Sequence, residues 1–194
     1  MTLMNKKTGL MLLLALALGA CQSLPADKPI TSVSNNALSF AITGKIGITT
    51  QTADAKRAAS AFYTWSQEDE RFAIELTGIL GMGATSISFD GKTAKLLSDH
   101  TGEIMADSPE ALLLRATGHQ APISQLPYWI VGRLAPDDVD GVFDGERLIK
   151  SSNHQWSAVF SYGKNDKRPN RLTITHADGH KVVMTIAHPH GQFL

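Results

Sequence analysis

Apolar residues recur at every second position in short runs separated by turns of a few residues, and this pattern constrains the chain more than any other. Leu38, Phe40, Ile42, Ile46 and Ile48 alternate with Ser39, Ala41, Thr43, Lys45 and Thr49. A period of two turns one face of a strand toward apolar material and the other toward water. Further runs of this kind occupy 60–65, 71–77, 85–89, 93–97 and 103–106, and after an interval 147–151, 155–162, 171–176 and 181–187. The connections are brief, such as Asp90-Gly91, Asp99-His100-Thr101-Gly102 and Ala177-Asp178-Gly179-His180. Turns this short join antiparallel neighbours, so the chain predicts an antiparallel meander.

The interval has a different period. Asp107-Ser108-Pro109-Glu110 supplies an N-cap, an early helical proline and an acidic first turn ahead of 111–116, and Gly118 supplies the stop. A second, shorter helix is expected at 125–131, with Ser124 as N-cap and Gly132 at its end. The fold class is therefore mainly β, with helices inserted midway that a curved sheet can wrap around.

The amino-terminal end reads as a lipoprotein signal. Lys6 and Lys7 precede an apolar run from Leu10 to Leu18, about ten residues and too short for the ~20 that span a bilayer. It closes on Leu18-Gly19-Ala20-Cys21, small residues before a cysteine, as a signal peptidase specific for diacylglycerol-modified cysteine requires. Residues 1–20 are then the signal, Cys21 the lipidated first residue, 21–36 a tether rich in Ser, Pro, Asn and Thr, and 37–194 the folded domain. An ordinary secretory signal with an incidental cysteine is the alternative. Gln22 follows the cysteine. Aspartate there commonly retains lipoproteins in the inner membrane of Gram-negative bacteria, so its absence points to the outer membrane, with the domain facing the periplasm.

Composition adds exclusions. Eighteen Lys and Arg balance eighteen Asp and Glu in 194 residues, which gives no reason to expect nucleic acid or an anionic surface as partner. Cys21 is the one cysteine, so an exported domain has no disulfide and depends on its core. No cofactor motif appears. His176, His180, His188 and His190 invite a metal site, but no H-x-x-x-H on a helix, cysteine pair or acidic cluster accompanies them, and they read as surface histidines. A Ser-His-Asp hydrolase is present in residue inventory only, without a G-x-S-x-G elbow.

One loop is unusual. Gly78-Ile79-Leu80-Gly81-Met82-Gly83 joins two strands with apolar side chains on a glycine-rich backbone. Loops run through water, so an apolar tip either docks on something or folds back into the core, and the residues alone leave both readings open.

Several segments together resemble the outer-membrane lipoprotein receptor LolB family. They are Ile42-Thr43-Gly44-Lys45-Ile46-Gly47, the strand from Phe62 to Trp65, 71–81 with Leu76-Thr77-Gly78-Ile79-Leu80-Gly81, the helix at 107–118, and 122–132 with Leu126, Tyr128 and Trp129. His119 stands where many relatives carry an aromatic, Ile79 replaces a commoner proline, and no tryptophan lies near His188-Pro189-His190. The resemblance implies an unclosed antiparallel β-barrel of about eleven strands, LolA/LolB-like, with helices over the open side. It also implies a monomeric receptor, not an enzyme, that takes acylated lipoproteins from a LolA-type periplasmic carrier and inserts them into outer membrane lipid. Leu80, with Ile79, would then protrude as a membrane-insertion loop.

Candidate cavity-lining residues come from the one-face sets: Phe40, Ile42, Ile46, Phe72, Ile74, Leu76, Phe160 and Met184, with Ile48, Trp156, Ala158, Val182 and Ile186 beside them. Leu112, Leu113, Trp129 and Ile130 on the helices would form a lid. For any one of these, ordinary core packing is the competing role. An anchored structural or envelope-assembly lipoprotein on the same fold is the alternative function.

Overall fold

The structure is a computed structural model, and it describes residues 38–51, 55–78 and 83–189. The signal, Cys21, the tether, Ile79, Leu80 and His190 lie outside the described residues.

Eleven strands form one sheet in which every neighbouring pair is antiparallel. The first meander comprises β1 (Ser39–Gln51), β2 (Lys56–Glu68), β3 (Arg71–Thr77), β4 (Ala84–Phe89), β5 (Ala94–Ser98) and β6 (Gly102–Ala106). Two helices follow, α1 (Pro109–Thr117) and α2 (Leu126–Ile130). The second meander is β7 (Asp140–Asp144), β8 (Arg147–Ser152), β9 (Trp156–Ser161), β10 (Arg171–His176) and β11 (Lys181–Ala187). Pairing of β1 with β11 joins the two meanders, so the sheet reads β6-β5-β4-β3-β2-β1-β11-β10-β9-β8-β7 and stays open between β6 and β7. Those two edges flank the helices in sequence. The chain that crosses from one edge to the other is the helical segment itself, which places it over the opening.

Local chemistry explains most boundaries. Ser108 caps α1, its Oγ accepting from the Ala111 N–H at 3.1 Å, and Gly118 ends the helix at φ +75° with its N–H donating to the Leu114 carbonyl. Asp90 accepts from the Lys92 and Thr93 N–H groups at 2.8 Å and closes the β4–β5 turn.

Four expectations need correction. β2 begins at Lys56 rather than at residue 60, because its first residues pair only with β1 and extend past the end of β3. There they have no apolar face to reveal them. No alternating run marks β7; Asp-Gly-Val-Phe-Asp is a five-residue edge strand with acidic ends, lacking the alternation of a half-buried one. Ser124 does not cap α2, whose N-cap is Gln125 without a side-chain bond. Instead the Ser124 N–H and hydroxyl both donate to Glu110 Oε1, tying the two helices together. Finally, His176 is not a surface histidine, as described below.

Candidate functional site

Cross-strand register assembles the inner face of the sheet in rows. Ile42, Trp65, Ile74, Ile87, Leu96 and Ile104 lie side by side across β1 to β6. On the other side of β1, Ile46 faces Met184, which faces Leu172, which faces Phe160. The period-two sets therefore converge on one concave surface. Phe40, Ile42, Phe72, Ile74, Phe160 and Met184 are buried there, and Ile46 and Leu76 are partly buried against the same cluster. Leu112, Trp129 and Ile130 are fully buried from the helix side, with Leu113 at the margin. Apart from Ile48, every described candidate for the cavity wall or lid is thus brought to one place.

Polar groups fasten the helices to the two open edges. Arg115 Nη1 donates to the Met105 carbonyl at 2.6 Å, attaching α1 to β6. Near β7, Asp138 Oδ2 accepts from the Trp129 indole at 2.9 Å, from the Ala135 N–H at 2.8 Å and from the Ser151 hydroxyl. One carboxylate oxygen so links α2, the following loop and β8. Sequence reasoning missed Asp138 and Ser151, since an aspartate before a strand reads as a turn residue and only the fold brings Trp129 to it.

The seam between β1 and β11 is unusually close. Gly44 has no room for a side chain, because a Cβ would stand 1.9 Å from the Thr185 carbonyl oxygen and 2.9 Å from the Tyr63 ring. Tyr63 lies across it, and its hydroxyl donates to that carbonyl at 2.9 Å. Burial pushes the Tyr63 phenol well above its ordinary range, so it remains a donor at any physiological pH.

At the upper end, where the β10–β11 turn lies, three histidines meet. His119 follows α1 and stands edge-on to His180 with ring centroids 4.9 Å apart, and His180 stacks at 5.9 Å on His176. His176 also packs on Trp156 at 4.5 Å, and its side chain is only 10% exposed. Its place on the row of Trp156 is what buries it. His188 follows the far end of β11, bonded to the Pro169 carbonyl, and burial holds its pKa below the ordinary histidine value. Among the described residues no group of three His, Cys, Asp or Glu side chains is placed to hold a metal ion.

A groove of about 790 Å³ runs outside the helices, lined among others by Glu110, Leu114, Gln125, Asp137, Asn153 and Trp156. Carboxylates and amides in its wall suit an acyl chain poorly. The apolar concave face is the better candidate. Among the described residues no helix is long and apolar enough to cross a membrane.

Comparison with known proteins finds relatives over most of the chain. The family model described as outer membrane lipoprotein LolB matches residues 38–188. The outer-membrane lipoprotein LolB of Stutzerimonas stutzeri is 29% identical over 190 residues, covering 89% of each chain. That of Bordetella petrii is 27% identical over 175 residues, covering 88% of this chain and 85% of its own. Among solved structures, a LolA superfamily protein from Nitrosomonas europaea is similar at 12% identity and a TM-score of 0.45, covering 76% of this chain and 84% of that one.

Proposed function

Because the chain belongs to the LolB family of outer membrane lipoproteins, we propose that it is an outer-membrane-anchored receptor that accepts lipoproteins from a LolA-type periplasmic carrier and inserts them into the outer membrane. Cys21 carries the lipid, and the domain faces the periplasm. The transfer is one of binding and release, with no covalent step. Its acyl-chain site is the concave face lined by Phe40, Ile42, Ile46, Phe72, Ile74, Leu76, Phe160 and Met184, beneath a lid formed by Leu112, Leu113, Trp129 and Ile130.

The observation that carries this reading is the apolar concave face of an open sheet, covered among the described residues by a short helical segment held at its two edges. Magnitudes favour a lid that yields to cargo. Exposing Leu112, Trp129 and Ile130 costs about 1.5 to 3 kcal/mol each. A chain of about sixteen carbons returns on the order of 10 kcal/mol at ~0.8 kcal/mol per methylene. One acyl chain therefore offsets the opening, and an empty site stays shut.

Fluorescent fatty-acid probes should bind the purified protein and be displaced by an acylated lipoprotein. A well-folded protein that gives no signal at saturating probe would leave the anchored structural or assembly role as the surviving reading.

A further inference from the structure

We propose that His119 and His180 latch the helical lid to the rim of the sheet at its upper end, and that protonation of the histidine row releases the latch. The inference rests on the receptor reading for what passes beneath the lid, while the latch itself stands on the geometry of three rings.

Two of those rings occupy positions that alternation assigns to the inner face. Leu172 and Ile174 on β10 and Met184 and Ile186 on β11 are buried, and His176 and His180 continue the same parity to the upper ends of the two strands. The next inward pair is Ile48 with Val182, both partly buried. The third ring comes from the lid. His119 follows the α1 stop at Gly118, and its N–H donates to Thr117 Oγ1 at 3.2 Å, so it moves with the end of the helix. Arg115 holds α1 to β6 in the first meander, and His119 reaches from the same helix to His180 in the second.

Both sheet rings accept hydrogen bonds that only a neutral imidazole can accept. His180 Nδ1 takes the Gln51 N–H at 3.1 Å, and His176 Nδ1 takes the Asp178 N–H at 3.1 Å. An imidazolium has two donors and no acceptor, so a proton on either nitrogen removes that bond. His176 has a substitute in the Asp178 carboxylate, 3.3 Å from its Nδ1. Among the described residues no carboxylate forms an ion pair with His180 or His119.

A charge added to this row meets mostly like charge. The ring centroids of His119 and His176 lie 4.9 and 5.9 Å from that of His180. Lys181 adjoins His180 on β11, and on β2 Lys56 stands opposite Gln51 and Arg57 opposite Thr50. His154, on the β8–β9 turn, is exposed beside Gln155 and Trp156. The charged groups of α1 are engaged elsewhere, Arg115 with Met105 and Glu110 with Ser124. Asp178 is the acid in contact with the row, and its side chain is largely exposed. Histidine changes charge between about pH 5 and 8, so the latch holds at the upper end of that range and is lost as pH falls through it. His119 is the ring that leaves, because the other two are fixed to the sheet.

The test is amide hydrogen exchange on the full-length protein in phospholipid nanodiscs at about pH 8 and about pH 5, corrected for the intrinsic rate. Exchange in α1 and on through Ala121 should rise about tenfold or more on acidification, the scale that like charges about 5 Å apart imply at intermediate dielectric after screening. His119→Phe keeps a ring against His180 that carries no charge, and the acid-driven rise should disappear. His119→Ala should exchange fast at both pH values, with a urea midpoint at pH 8 showing that the fold is intact.

No rise in the natural protein overturns the latch, and so does an equal rise in His119→Phe, which would place the titration elsewhere. A rise shared by the β3–β4 ladder would be general loosening in acid and would overturn it as well. Exchange needs no ligand, so the two readings fail separately. A fatty-acid probe that never binds above a nanodisc-only control, with exchange behaving as expected, sinks the receptor reading and keeps the latch.

Discussion

The two ends of the inner face carry the same alternation and are packed in opposite ways. At the lower end, beside the β2–β3 turn, Phe40, Trp65, Phe72 and Phe89 stand in a row with successive ring centroids 6.1, 5.8 and 6.1 Å apart. The Trp65 indole donates to buried Gln67, which in turn donates to the Asp69 carbonyl, so even the polar atoms there are used. At the upper end Ile46, Ile48, Leu76 and Val182 are partly buried aliphatics beneath the histidine row. Tilted aromatic rows fix geometry, whereas aliphatic side chains rearrange at little cost. For the acyl-chain site proposed above, this contrast would supply a fixed floor at one end and a yielding mouth at the other.

The comparison breaks most visibly by truncation. Trp65→Ala should destabilise the domain by about 3 to 5 kcal/mol, since it empties the middle of the aromatic row and strips Gln67 of its donor. Ile48→Ala at the mouth should cost less than about 2 kcal/mol. Urea denaturation reads both, and equal losses would mean that the mouth is as rigid as the floor.

A smaller effect is expected at the seam joining the two meanders. Gly44→Ala drives a methyl group into the Thr185 carbonyl, which is backbone and cannot swing aside. Strands β1 and β11 must separate locally, and the Tyr63 hydroxyl bond to that carbonyl is strained with them. Overpacking of this kind costs about 1 to 3 kcal/mol. Amide exchange should accelerate along β1 and β11 while the β3–β4 ladder stays protected. Uniform acceleration over the whole sheet would show that seam and floor are one cooperative unit.

Where a residue's neighbours were in its own strand or turn, the sequence was legible. Alternation located ten of the strands, and Ser108 with Gly118 bounded α1. The open barrel and its count of eleven came from the family resemblance, since periodicity carries no information on which strands pair. What escaped was set by distant partners: β7 has one neighbour and needs no apolar stripe, Ser124 serves Glu110 rather than its own helix, and Asp138 meets Trp129 and Ser151 only after folding. Gly44 was visible as part of a motif, but its reason, the Thr185 carbonyl, lies 141 positions away in the chain.

The smallest expected effect on folding is at Leu80, and there the contrast between holding and releasing is sharpest. A receptor that buries acyl chains still has to deliver them, and an aliphatic tip can enter the interface and bring the mouth to the bilayer. Such an insertion is worth about 1.5 to 3 kcal/mol, enough to bias contact without trapping the protein. Leu80→Glu should therefore leave the urea midpoint and acceptance from the carrier unchanged while lipoproteins fail to enter vesicles. Leu80→Ala should be milder. A leucine packed in the core behaves otherwise, since its replacement by alanine costs about 2 to 5 kcal/mol and a buried glutamate more. Loss of the fold in Leu80→Glu, or normal delivery by a folded variant, would remove the loop from the release step and leave the mouth to act alone.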